Sequence, residues 1–344
     1  MRIAILSPVW FPVPPLGYGG IEWVVSLLAD GLAEAGHDVT LFASGDSSSR
    51  AELASVFPEA PSPDIGKTAP ELRHALACYE RAADFDIVND HSGPLAAALG
   101  GAVETPVVHT VHGPLVGPDG DLYATLARVA PEVGLISVSM NQRKPQPDLP
   151  WVATCHNALD LDAYPVHTDR GEYLLFLGRM SADKGCHRAV EVALEAGVPL
   201  KIAGKMREPP EREYFETYVA PHLGAEVEYL GETSHAKKVA LLQNARATLF
   251  PIEWEEPFGL VMVESMACGT PVIATRWGAA PEVIEHGRSG IVVDDYRDMA
   301  GALAQADELE PLECRRSAEE RFSAQRMVRD YEAAYEAVLA AAPA

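Results

Sequence analysis

Strand-like and helix-like segments alternate along this chain, and after one interruption the alternation starts again. That rhythm leaves few folds open. The segment Arg2–Leu6 reads as a strand, and a loop over residues 8–20 ends in Gly17-Tyr18-Gly19-Gly20. Residues 21–35 then carry Val24, Val25, Leu27, Leu28 and Leu32 at helical spacing, Gly36 stops the helix, and 38–43 reads as the next strand. Further strands are predicted at 87–89, 107–110 and 134–138. Pro145, Pro147, Pro150 and Pro165 interrupt the pattern, which suits an interdomain linker. The rhythm resumes with strands at 173–177, 200–203, 227–230, 248–251, 272–274 and 291–293 and a helix at 186–196. A last helix over 324–341 places Met327, Tyr331, Tyr335 and Val338 about one turn apart. The expectation is an α/β protein of two doubly wound parallel-sheet, Rossmann-like domains facing across a cleft, 1–164 and 165–323, with a final helix over 324–344. Ligands of such sheets bind at the carboxyl ends of the strands.

Composition narrows the ligand. The 344 residues include 27 Lys and Arg against 50 Asp and Glu, a formal net charge of −23, and 48% are hydrophobic. An apolar content that high supports two sizeable cores and excludes disorder. The acidity argues against nucleic acid, whose phosphates need clustered cations, and against strong association with an anionic bilayer. Residues 1–164 hold 8 basic and 20 acidic residues, so neither half is a basic arm. Cys78, Cys155, Cys186, Cys268 and Cys314 show no metal or disulfide spacing. The apolar start through Ser7 stops at Pro8 and reads as a buried strand, not a signal peptide, and no run reaches the 18 residues of a membrane span. A cytoplasmic protein is expected.

Four segments carry possible chemistry. In residues 250–275, Pro257 and Gly259 mark a helix start, the following run is apolar, and Glu264 sits inside it, where a lone carboxylate costs several kcal/mol. Either a local partner satisfies it or it receives ligand hydroxyls. Glu256 stands eight residues earlier on the preceding loop. Two carboxylates framing a helix N-terminus can hold sugar hydroxyls while the helix end receives phosphate. In Gly178-Arg179-Met180-Ser181-Ala182-Asp183-Lys184-Gly185, two cations share one strand-to-helix loop, suited to anion binding or to plain solvation. The Gly19-Gly20-Ile21-Glu22 turn is an incomplete phosphate motif. In 107–113, His112 emerges at a strand end, whereas His109 reads as a core or surface histidine. The D-x-D spellings at Asp84/Asp86, Asp119/Asp121 and Asp160/Asp162 are chance matches in an acidic chain, so no metal is placed on them. His235, Lys237 and Lys238 read as a solvated helix start.

Together these motifs resemble the retaining glycosyltransferases of family GT4, which have the GT-B fold. The carrying residues are Gly19-Gly20-Ile21-Glu22, Thr110-Val111-His112, Gly178-Arg179 through Lys184-Gly185, and Glu256-Pro257-Phe258-Gly259 through Glu264 to Val272. The Glu256–Glu264 spacing matches the family's E-x7-E motif. The resemblance implies a metal-independent enzyme without a cofactor, using a nucleoside-diphosphate sugar, with uridine the favoured base. Arg179 and Lys184 would neutralise the diphosphate. Gly19, Gly20, Gly259 and the neighbouring Phe258 and Leu260 would line the donor, Glu264 would hold ribose, and Glu256 and His112 would face the sugar near its anomeric carbon. Retention would proceed by same-face attack, with the leaving phosphate taking the acceptor's proton.

Two departures bear on the acceptor and the linker. Asn89-Asp90-His91 retains only His91 of the family's His-x-His, which leaves His91 as a weak acceptor-site candidate, and Asn157-Ala158 lacks the usual glycine. The acidic N-terminal half points to a soluble sugar, oligosaccharide or natural-product acceptor, as in antibiotic biosynthesis. The alternatives are an epimerase of the same fold, a nicotinamide-dependent dehydrogenase, for which no complete G-x-G-x-x-G is present, and a non-catalytic nucleotide-sugar binder.

Overall fold

The computed structural model describes residues 1–17 and 19–341; Tyr18 of the glycine-rich turn and residues 342–344 lie outside it. The chain forms two compact units. One comprises Met1–Ala158 together with Ala324–Ala344, and the other Leu159–Ser323. The division therefore falls between Ala158 and Leu159, where the proline spacing had suggested 164/165.

The first unit is built on seven parallel strands: β1 (Arg2–Leu6), β2 (Asp38–Phe42), β3 (Glu52–Ala54), β4 (Ile87–Asp90), β5 (Val107–Val111), β6 (Gly134–Ser137) and β7 (Trp151–Thr154), in the order 3-2-1-4-5-6-7. Ile3, Ala4, Ile5 and Leu6 are all fully buried. Both faces of β1 are thus covered, which is why it reads as a continuous apolar run and not an alternating one. The Ala324–Ala341 helix belongs to this unit. Its Tyr331 and Tyr335 are fully buried, and their hydroxyls meet Thr110 Oγ1 at 3.2 Å and Asn89 Nδ2 at 2.6 Å. Arg326 fixes the start of the helix by donating to the carbonyl of His156 at 2.7 Å.

The second unit has six parallel strands: β8 (Tyr173–Leu177), β9 (Leu200–Ala203), β10 (Val227–Tyr229), β11 (Ala245–Phe250), β12 (Val272–Thr275) and β13 (Gly290–Val293), in the order 10-9-8-11-12-13. Leu174, Phe176, Ile202, Leu249, Ile273 and Ile291 supply its core.

Two strands escaped the sequence reading, β3 and β7. The second runs through the stretch expected to be an irregular linker. Both are edge strands in which no residue is fully buried, so neither needs an apolar run. Pro150 precedes β7 and costs no ladder bond; its carbonyl accepts from Leu135 N at 2.8 Å.

Candidate active site

Each sheet reverses its winding direction at one pair of strands, β1/β4 in the first unit and β8/β11 in the second. Ligands of doubly wound sheets sit outside the carboxyl ends of such pairs. Most sequence candidates follow these strands, Gly19 and Gly20 after β1, His91 after β4, Arg179 and Lys184 after β8, and Glu256, Phe258 and Gly259 after β11, while His112 follows the neighbouring β5.

In the second unit the β8 loop is held against the end of β11. Gly185 has φ +75°, and a Cβ there would lie 2.3 Å from the Pro251 carbonyl oxygen, so only glycine permits the approach. Arg188 braces the same turn, donating to Pro251 O at 3.0 Å and to Glu253 at 2.5 Å. The result brings Lys184 to Glu256, 72 positions apart, where the ammonium donates to Glu256 Oε2. Both side chains are mostly buried, at 17% and 10% exposure, and Lys184 Nζ also lies 4.5 Å from the centroid of the Trp254 ring. Arg179 is less enclosed and sits 3.5 Å from Asp183. Ser181 Oγ and Trp254 Nε1 are buried nearby with no hydrogen-bond partner among the described residues. A cation held by one carboxylate beside orphaned donors is a ready receiver of anionic oxygen.

The backbone of Glu256 is pinned: its carbonyl accepts from Ala279 N at 2.9 Å and its N–H donates to Trp254 O at 2.9 Å. The Phe258 ring is buried and packs edge-on to Phe322 at 5.6 Å between centroids. Gly259, at φ +85°, caps the Leu260–Ala267 helix, whose first residue Leu260 is half-buried.

Glu264 lies in the second turn of that helix and is buried. Its partners come from two other segments. Tyr164 OH donates to Oε1 at 2.7 Å and Lys238 Nζ donates to the same oxygen at 2.5 Å. Burial, followed by the Glu264 charge, pushes the Tyr164 phenol well above its ordinary range and keeps it a donor. Lys238 corrects the expectation of a solvated helix start. The helix His235–Gln243 does begin at a Ser234 cap, but its turn exposes Lys237 and directs Lys238 to the buried carboxylate. Tyr164 is not singled out from sequence, and Lys238 is named there only as part of a solvated helix start. The polar spelling around Lys238 hid it, and only an unpaired carboxylate at Glu264 signalled that some partner existed.

In the first unit Gly19 caps the Gly20–Glu34 helix and Gly20 opens it, while Glu22 is buried in its first turn. Burial raises the Glu22 carboxyl to about 7. His91 Nδ1 and His112 Nε2 are 2.9 Å apart. His91 is buried, with Nε2 unpartnered among the described residues, and His112 is half-buried. Burial and the neighbouring imidazoles hold both rings below the ordinary histidine range, His112 down to about 3. At 2.9 Å one of these ring nitrogens donates to the other. His109, by contrast, is a core residue, bridging Asp90 Oδ2 and Tyr123 OH at 2.8 Å each. Of the D-x-D aspartates, Asp86 pairs with Arg2 at 2.7 Å, Asp84 with Arg81 at 3.3 Å, and Asp160 accepts from Asp162 N.

Known proteins share this architecture and its order. Residues 18–131 match the family model described as Glycosyltransferase Family 4, and residues 163–323 match Glycosyl transferases group 1. A phosphatidyl-myo-inositol mannosyltransferase of Mycolicibacterium smegmatis is 29% identical over 347 residues, covering 88% of this chain and 84% of that protein. A glycogen synthase of Mycobacterium tuberculosis is 26% identical over 388 residues, covering 96% and 91%. Among solved structures, AviGT4, a glycosyltransferase involved in avilamycin A biosynthesis, is 27% identical with a TM-score of 0.71, covering 99% of each chain. With both family models matched in sequence order along one chain of two parallel-sheet units, the protein belongs to the family 4, group 1 glycosyltransferases of GT-B fold.

Proposed function

We propose that this glycosyltransferase moves a sugar from a nucleoside diphosphate to an acceptor hydroxyl with retention of anomeric configuration and without a metal. The observation that carries the reading is the cluster at the ends of β8 and β11, where Lys184 meets Glu256 and Glu264 follows on the helix capped by Gly259. Lys184 and Arg179 neutralise the diphosphate as it departs, the step at which fixed charge lowers the barrier most. The N–H groups after Gly259 assist, and in the first unit Gly19 and Gly20 at the start of the Gly20–Glu34 helix are further donor-side candidates. Glu256 accepts from sugar hydroxyls and Glu264 from ribose. The bond from the anomeric carbon to the phosphate oxygen breaks, the bond to the acceptor oxygen forms on the same face, and the acceptor's proton passes to the leaving phosphate. His112 is the first unit's candidate for the sugar, and His91, 2.9 Å from it, its candidate for the acceptor.

Uridine is the first base to test, being the most frequent in the family. The excess of 20 acidic over 8 basic residues in 1–164 supports a soluble acceptor, since such a surface repels an anionic bilayer. A thermal-shift screen of UDP, ADP and GDP tests the donor reading. A nucleotide at 100 times its Kd stabilises by about 2.7 kcal/mol, and no shift with any of the three would contradict it. Turnover should survive EDTA and fall on soluble glycosides, not on phosphatidylinositol vesicles.

A further inference from the structure

We propose that Lys238 and Tyr164 are positioning residues that lock the Glu264 carboxylate by one oxygen, so that its other oxygen is presented as a fixed acceptor for a ribose hydroxyl. This rests on the donor reading above and adds to it the device that makes the site select ribose. Three observations carry it. Both donors converge on Oε1, at 2.7 and 2.5 Å, and no hydrogen bond to Oε2 is found among the described residues. The carboxylate cannot turn about its last bond without breaking both contacts. The donors also come from separate segments, Tyr164 just after the Leu161–Ala163 turn and Lys238 from the His235–Gln243 helix, so motion of one leaves the other in place. Finally, the glutamate side chain is only 9% exposed and its lysine 27%, so the charge stays compensated without being drowned by solvent.

The geometry also bears on alternatives for Lys238. Its Nζ is committed to Glu264 and lies 5.5 Å from the Tyr164 ring centroid. A lysine serving phosphate or base directly would act on every nucleotide alike. One that serves through Glu264 acts only on nucleotides whose ribose carries the hydroxyl.

The test is calorimetric. UDP, 2′-deoxy-UDP and 3′-deoxy-UDP are titrated into the full chain and into Lys238→Gln, Tyr164→Phe and Lys238→Arg. The wild type should prefer UDP over at least one deoxy analogue by about tenfold or more, the worth of a hydrogen bond to a charged acceptor. In Lys238→Gln that preference should shrink to about threefold or less while affinity for the deoxy analogue is unchanged. Tyr164→Phe should do the same more weakly, and Lys238→Arg should restore the preference. Unchanged binding of the deoxy analogue shows that the variant is folded; if Lys238→Gln binds neither nucleotide, Tyr164→Phe decides. Equal weakening of UDP and both analogues, or an intact preference in the variants, overturns the positioning role and leaves the donor reading standing. No binding of UDP, ADP or GDP to the wild type overturns both.

Discussion

The pairing of Lys184 with Glu256 sets up opposite responses to two conservative substitutions. Without a ligand the ammonium is held by a carboxylate, and a diphosphate has to compete for it. Lys184→Met removes the receiver, so UDP affinity should fall by about 10- to 100-fold, the loss of a charge-assisted hydrogen bond of about 1.5–3 kcal/mol. Glu256→Gln removes the competitor, so UDP should bind about three- to tenfold more tightly. Turnover should nevertheless drop by about 100-fold or more in both, because in the proposed roles one loses charge stabilisation of the leaving group and the other its hold on the sugar. Stability provides an internal check. Side chains exposed by 17% and 10% approach the buried limit, where stripping one partner costs about 3 kcal/mol. The double variant should then be less destabilised than the sum of the singles by about 1–3 kcal/mol. Calorimetry with UDP, initial rates with the sugar nucleotide and urea unfolding measure the three quantities. Glu256→Gln weakening UDP as much as Lys184→Met does, or either variant keeping the wild-type rate, would refute the reasoning.

Other perturbations follow from the same geometry. Gly278 sits at φ +55°, and a Cβ there would lie 2.3 Å from Glu256 N and 2.6 Å from Glu256 O. Gly278→Ala should therefore cost most of the activity, whereas Gly287→Ala, at φ +81° with nothing within 4 Å, pays only backbone strain of about 1 kcal/mol and should keep its rate. The buried Glu22 carboxyl, raised from 4.5 to about 7, is protonated in the native state over a range where the unfolded chain has ionised it. Stability should thus fall as pH climbs from about 4.5 to about 7, by about 3 kcal/mol, and Glu22→Gln should lack that fall in paired urea titrations. His112, lowered to about 3, works in the other direction: native stability is lost as pH drops from 6.5 toward 3, and His112→Asn should flatten that limb. NMR should find the His91 and His112 rings neutral at pH 5.

How much of this the sequence disclosed depended on whether the signal was local. Tyr173–Leu177, Cys186–Ala196 and Leu200–Ala203 form as read, because strands buried on both faces and an amphipathic helix leave unambiguous patterns over a few residues. The edge strands β3 and β7 leave none, since one side of each ladder is unpaired and none of their residues is fully buried. The site divides in the same manner. The loops bearing Arg179, Lys184 and Glu256 were legible as strand-to-helix connections, and Glu264 as a carboxylate inside the helix that follows. That Lys184 would meet Glu256, or Lys238 meet Glu264, was not, because such pairs are fixed by which strands lie side by side and by the phase of a distant helix. Asn89 shows the same limit: a residue departing from the family pattern at a strand end is in fact the anchor of Tyr335 on the last helix.

The most direct test of the central claim is the anomeric configuration of the product. The enzyme is supplied with α-linked UDP-glucose, or the sugar nucleotide that the screen selects, labelled with carbon-13 at the anomeric position. The first product is followed by NMR before any mutarotation. Transfer through Lys184, Arg179 and Glu256 by same-face attack predicts that the new bond keeps the donor's α configuration, in EDTA as in its absence. A β-linked product would contradict it.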